Sequence, residues 1–158
     1  MTTAGGRGTG SIADDGNKVP LYPIFLNLEG RPVLVVGGGP VAVRKARGLL
    51  EAGAKVTLVS PELSAPLPVD WKRRRARVSD VSGMALVFVA TNDRRVNARI
   101  ARAAQAQRIP VNVADAPAEG DFIVPARLKR PGFHLAISTD GKDPRAAATL
   151  RRRLEEIL

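Results

Sequence analysis

The run Gly37-Gly38-Gly39-Pro40-Val41-Ala42 carries the spacing G-x-G-x-x-A. In that pattern the first glycine permits a tight turn and the second lets the backbone approach a pyrophosphate. The third position packs helix against strand, and Ala42 is small enough for it. A helix that opens at Pro40 presents free N–H groups and the positive end of its dipole to an anion. Gly37, Gly38, Gly39, Pro40 and Val41 are therefore candidate cofactor-binding residues. About 20 residues beyond the turn, where a ribose-binding acid is expected, stands Ser60-Pro61-Glu62. Glu62 can accept hydrogen bonds from ribose hydroxyls. No arginine follows at once to hold a 2′-phosphate, although the basic run Lys72–Arg75 can fold near. The cofactor expected is NAD rather than NADP.

Polar residues also follow two later apolar runs, in Thr91-Asn92-Asp93 and in Asn112-Val113-Ala114-Asp115. In open α/β sheets that rim binds ligands, but such residues also cap helices and turn the chain. For Asn92 and Asp93 capping competes with a direct role. Thr91 and Asn92 are counted with the cofactor-binding residues. Asp115 precedes Ala116-Pro117, where no helix obviously starts, so it is the candidate acid/base group. His134, the only histidine, reads as a strand residue. With no cysteine and one histidine, metal sites built from those ligands are excluded, as are thiol nucleophiles. G-x-S-x-G is absent, which removes the usual serine hydrolase arrangement.

The elements that must position these residues follow from periodicity. Pro32–Val36 is a valine-rich run suited to a strand buried on both faces. A helix follows from Pro40 to about Ala52, with Val43, Ala46, Leu49 and Leu50 at helical spacing and Gly53 suited to its end. Lys55–Val59 reads as a second strand. A third is expected near Arg75–Val78, then Ala85–Ala90, a helix capped by Asn92 or Asp93, and Ile109–Val113. This order predicts a Rossmann-like doubly wound parallel sheet in residues 20–117. Phe122–Leu128 and Phe133–Ser138 flank Pro131-Gly132 and suggest a β-hairpin. Asp143-Pro144 opens a last helix with Leu150, Leu154 and Ile157 as its stripe. Residues 118–158 thus form a hairpin-plus-helix appendage. Residues 1–19, rich in glycine and small polar residues, are expected to be a disordered leader.

The 158 residues include 25 Lys and Arg against 15 Asp and Glu, a formal charge of +10. Such a field favours an anionic ligand. Nucleic acid is not expected, because aromatics form only 4% of the chain and no binding module is evident. No apolar run approaches the roughly 20 residues of a membrane span, and no secretory signal is recognisable. A cytoplasmic location is expected.

Taken in order, these segments resemble the siroheme synthase N-terminal domain, the precorrin-2 dehydrogenase/sirohydrochlorin ferrochelatase family. The resemblance covers about residues 21–158. It is carried by Tyr22-Pro23-Ile24-Phe25, the run from Leu34 through Ala42, Arg44-Lys45-Ala46, Ala90-Thr91-Asn92-Asp93 and Val96-Asn97. It continues in Asn112 through Pro117, Asp121-Phe122-Ile123-Val124-Pro125 and Ala136 through Gly141. It implies NAD-dependent oxidation of precorrin-2, a polycarboxylate tetrapyrrole, to sirohydrochlorin. It also implies that Asp115 is the catalytic aspartate, and that the hairpin and last helix make a homodimer. A non-catalytic module that binds NAD or tetrapyrrole is the competing reading. Two departures stand out: Thr139-Asp140 where a second small residue is common, and a chain ending at Leu158, before the helical region of fuller members. A bifunctional enzyme that also inserts Fe2+ as a sirohydrochlorin ferrochelatase is the other alternative, which the second departure disfavours.

Overall fold

The computed structural model describes residues 20–158; the expected leader, residues 1–19, lies outside the described residues. A parallel sheet forms from β1 (Pro32–Val36), β2 (Lys55–Val59), β3 (Asp70–Lys72), β4 (Leu86–Val89) and β5 (Val111–Val113), in spatial order β3-β2-β1-β4-β5. Helix α1 (Pro40–Glu51) connects β1 to β2, and α2 (Arg94–Ala106) connects β4 to β5. This is the doubly wound arrangement that the sequence predicts.

Side chains alternate across a strand, so β1 serves two cores at once. Val33 and Val35 pack with Ala42, Ala46, Leu49, Leu58 and Phe88 on the α1 face. Leu34 and Val36 pack with Val87, Val89, Ile100, Val111 and Val113 on the α2 face. Burying such side chains contributes roughly 1.5–3 kcal/mol each, which is why the central strand is continuously apolar. Helix α1 stops where the Ala52 and Gly53 N–H groups bond back to Leu49 and Leu50, with Gly53 at φ +77°.

Two elements begin several residues away from where they are expected. The third strand is Asp70–Lys72, not Arg75–Val78. Parallel pairing of Leu58 with Trp71 and of Val59 with Lys72 selects it. The residues after it are held otherwise: Arg74 makes a two-pronged ion pair with buried Asp80, at 2.6 and 2.9 Å. Asp80 also accepts the Arg77 N–H at 2.8 Å and lies in a 3-10 turn over Val78–Val81. The Arg74 guanidinium holds the Asp80 carboxyl below its ordinary value.

The hairpin is β6 (Ala126–Arg130) and β7 (Phe133–Ile137), antiparallel around Pro131-Gly132. Its first arm begins later than expected, because Phe122 is drawn edge-on against Phe88, with ring centres 5.4 Å apart. Helix α3 (Pro144–Ile157) is capped by Asp143, whose carboxylate accepts the Ala146 N–H. Its expected stripe does not enter a core of this chain. Ala147 is its buried residue, whereas Leu150 and Ile157 are exposed. No helix among the described residues is long and apolar enough to cross a membrane.

Candidate functional site

Four loops leave the carboxyl ends of parallel strands on one rim: Gly37–Gly39 after β1, Ser60–Glu62 after β2, 90–93 after β4 and 114–116 after β5. The chain order reverses between β1 and β4, so connections diverge there and open a crevice.

The three glycines have different constraints. Gly37 sits at φ +123°, and a side chain there would collide with the Ala90 carbonyl. A side chain on Gly38 would overlap the Glu62 carbonyl, and the Gly38 carbonyl accepts the Ser64 N–H at 2.8 Å. Gly39 has nothing within 4 Å of the position its Cβ would take. The protein therefore presses on the first two glycines and leaves the third facing open space. Gly39 is the N-cap of α1, Pro40 follows it, and no side chain caps the helix or brings an acid to its first turn. Uncapped N–H groups beside an open approach fit a diphosphate. Val41 is exposed at this end, while Ala42 is fully buried against the sheet.

At the end of β2, Ser60 is buried; its N–H donates to the Lys72 carbonyl at 3.2 Å, and its carbonyl accepts the Trp71 indole N–H at 3.0 Å. Pro61 and Glu62 are exposed. Strand β3 brings the basic run alongside: Arg73 lies over the Trp71 ring at 5.4 Å, and Asp80 engages Arg74.

After β4, the fully buried Asn97 closes the loop. Its amide oxygen accepts the Thr91 hydroxyl at 2.6 Å and the Thr91 N–H at 3.2 Å, and its amide N–H donates to the Thr91 carbonyl at 3.0 Å. Asp93 caps α2, accepting the N–H groups of Arg95 and Val96. That leaves Asn92 exposed between two residues with structural duties. Asp115 is exposed at the end of β5. Arg94 approaches its carboxylate at 3.9 Å but makes its closer contact with Glu119. The Glu119 carboxylate raises the Arg94 guanidinium above its ordinary value. His134 is exposed on β7, opposite Lys129 and remote in the chain from these loops.

A pair that periodicity did not reveal joins α1 to β5. Lys45 Nζ donates to Asn112 Oδ1 at 2.9 Å, and Asn112 Nδ2 donates to the Phe122 carbonyl at 2.9 Å. The signal available in the sequence was an asparagine inside the buried strand Val-Asn-Val, since a buried amide needs partners. Asn97 offered less, being one polar residue in a helix rich in them.

Fold and rim together define a Rossmann-type dinucleotide-binding domain. Residues 24–126 match the family model NAD_binding_7, described as "Putative NAD(P)-binding". The chain belongs to this NAD(P)-binding family. It is 47% identical over 138 residues to a siroheme synthase of Ectopseudomonas mendocina, a match covering 84% of this chain and 30% of that protein. It is 44% identical over 143 residues to a siroheme synthase of Methylobacillus flagellatus, covering 86% of this chain and 31% of the relative. The chain thus spans just under a third of the length of these curated relatives. Among solved structures it is similar to "SirC, precorrin-2 dehydrogenase", with a TM-score of 0.76 and 34% identity; the match covers 87% of this chain and 71% of that one.

Proposed function

We propose that this chain oxidises precorrin-2 to sirohydrochlorin with NAD. The observation that carries the reading is Asp115, a solvent-accessible carboxylate at the end of β5, on the same rim as the open glycine turn. Kinship with a precorrin-2 dehydrogenase and with siroheme synthases supports the substrate, and the charge of +10 suits a polycarboxylate.

When bound, NAD supplies the hydride acceptor. The chain's own residues do the rest. Gly39 and the first turn of α1 hold the diphosphate. Glu62 accepts from the ribose hydroxyls, while Ser60 and Pro61 shape the loop over Gly38. Thr91 and Asn92 border the nicotinamide half, with Asn97 fixing their backbone. Asp115 accepts the ring proton released as hydride departs from the tetrapyrrole. NAD is favoured over NADP because Glu62 would face a 2′-phosphate, and because Asp80 and Trp71 already engage Arg74 and Arg73.

The test is anaerobic incubation with enzymatically prepared precorrin-2 and either dinucleotide, following NADH or NADPH and sirohydrochlorin by absorbance. Equal yields of NADH and sirohydrochlorin, with slower reaction on NADP, are expected. Firm NAD binding without turnover would favour a non-catalytic module.

A homodimer through the appendage accounts for the exposure of Phe133 (43%), Leu150 (47%) and Ile157 (77%) in a single chain. Sedimentation analysis is expected to give twice the chain mass; a monomer at micromolar concentration would exclude the dimer.

A further inference from the structure

On α1, Arg44 and Lys45 precede Gly48 by four and three residues, so all three share one helix face. The guanidinium of Arg127, from β6, lies on that face. A Cβ built on Gly48 would run into its Nη2 and stand 3.1 Å from Cζ and 3.3 Å from Nη1. The missing side chain at Gly48 lets the hairpin arginine come down beside Arg44 and Lys45. The Lys45 ammonium is partly buried, over the Phe88 ring at 5.6 Å, with the neutral Asn112 amide oxygen as its hydrogen-bond acceptor. No carboxylate among the described residues forms an ion pair with Arg44, Lys45 or Arg127. Burial, then Arg44 and Arg127, push the Lys45 ammonium down to about 8. Like charges gathered against an apolar wall destabilise one another until an anion joins them.

We propose that Arg44, Lys45 and Arg127 form an oxyanion site, at the junction of α1 with the hairpin, that takes a carboxylate arm of the tetrapyrrole substrate. The source of the carboxylate rests on the dehydrogenase reading; the site itself does not. A dinucleotide phosphate has the same chemistry, but the glycine turn already serves it. Lys45 stands about 7.5 Å further along the helix axis than Pro40. Asn112, which holds Lys45, lies three residues before Asp115, about 10 Å along the chain. An arm anchored at Lys45 is therefore within a macrocycle's reach of the proposed proton acceptor.

The experiment is a fluorescence titration of the full chain with uroporphyrin, an air-stable polycarboxylate tetrapyrrole, with NAD titrated in parallel. The variants are Arg44→Gln, Arg127→Gln and Gly48→Ala, the last displacing the Arg127 guanidinium with no change of charge. Each arginine variant is expected to weaken uroporphyrin binding about tenfold, the effect of removing one charge-assisted hydrogen bond. Gly48→Ala should weaken it by a smaller factor, and all three should keep NAD affinity and the melting temperature. Wild-type chain that ignores uroporphyrin, or arginine variants that bind it unchanged, would sink the proposal. Loss of NAD affinity in step with uroporphyrin would assign the cations to the dinucleotide and overturn it equally. Arginine-dependent uroporphyrin binding by a chain that never turns over precorrin-2 would leave the site standing and remove the dehydrogenase reading.

Discussion

Asp115→Asn is expected to lower kcat for precorrin-2 oxidation by roughly 10²–10⁴-fold, the usual range for removing a positioned acid/base group. The exchange keeps the shape of the side chain and takes away its basicity. Its structural consequences should be small. The carboxylate is exposed, its Arg94 contact is long at 3.9 Å, and Glu119 retains the guanidinium. Exposed pairs of that kind contribute about 0–1 kcal/mol. Melting temperature and NAD affinity should therefore stay near wild type, and KM should change far less than kcat. Steady-state kinetics beside an NAD titration separate these quantities. Full turnover by the variant would exclude Asp115 as the proton acceptor and move attention to Asn92, another exposed polar residue on the rim.

Gly39→Ala should abolish tight dinucleotide binding while leaving the fold intact, a combination its neighbours cannot produce. The new methyl meets no protein atom within 4 Å, and the backbone at φ −75° suits alanine. Alanine is a poorer N-cap than glycine, at a cost below about 1 kcal/mol. The methyl would instead occupy space that a diphosphate needs to reach the backbone. A loss of about 3 kcal/mol in binding, roughly a hundredfold in Kd, is expected by calorimetric titration with NAD. Gly38→Ala provides the contrast. Its methyl would overlap the Glu62 carbonyl and force the loop after β2 away, so binding and stability fall together. An NAD affinity untouched by Gly39→Ala would place the diphosphate elsewhere.

Much of this architecture is legible along the chain. The valine run of β1, the glycine turn and Pro40 are neighbours in sequence, and their interactions are local. Strand, turn and helix start are each selected by a few adjacent residues. The Asp143-Pro144 pair marks the start of α3 in the same way. Short edge elements read less well. Asp70–Lys72 becomes β3 because Val59 pairs with Lys72, a contact between residues that no local period connects. The start of β6 shifts because Phe88, from another strand, captures Phe122. The stripe Leu150, Leu154, Ile157 shows what α3 can bury but not where, and within one chain most of it stays outside the core.

The candidate site divides along the same line. Sequence alone determined which residues leave the parallel strands toward the rim: Gly37–Gly39, Ser60–Glu62, Thr91-Asn92 and Asp115. Turn chemistry and strand burial are near-neighbour properties, and the rim follows from them. Only the tertiary structure decided which side chains meet. It brought Lys45 to Asn112 across 67 residues, laid Arg127 on Gly48, and turned Arg94 toward both Asp115 and Glu119. Such pairings depend on where helix faces and the hairpin come to rest against the sheet. That is set by the summed packing of both cores, which no local window of residues contains.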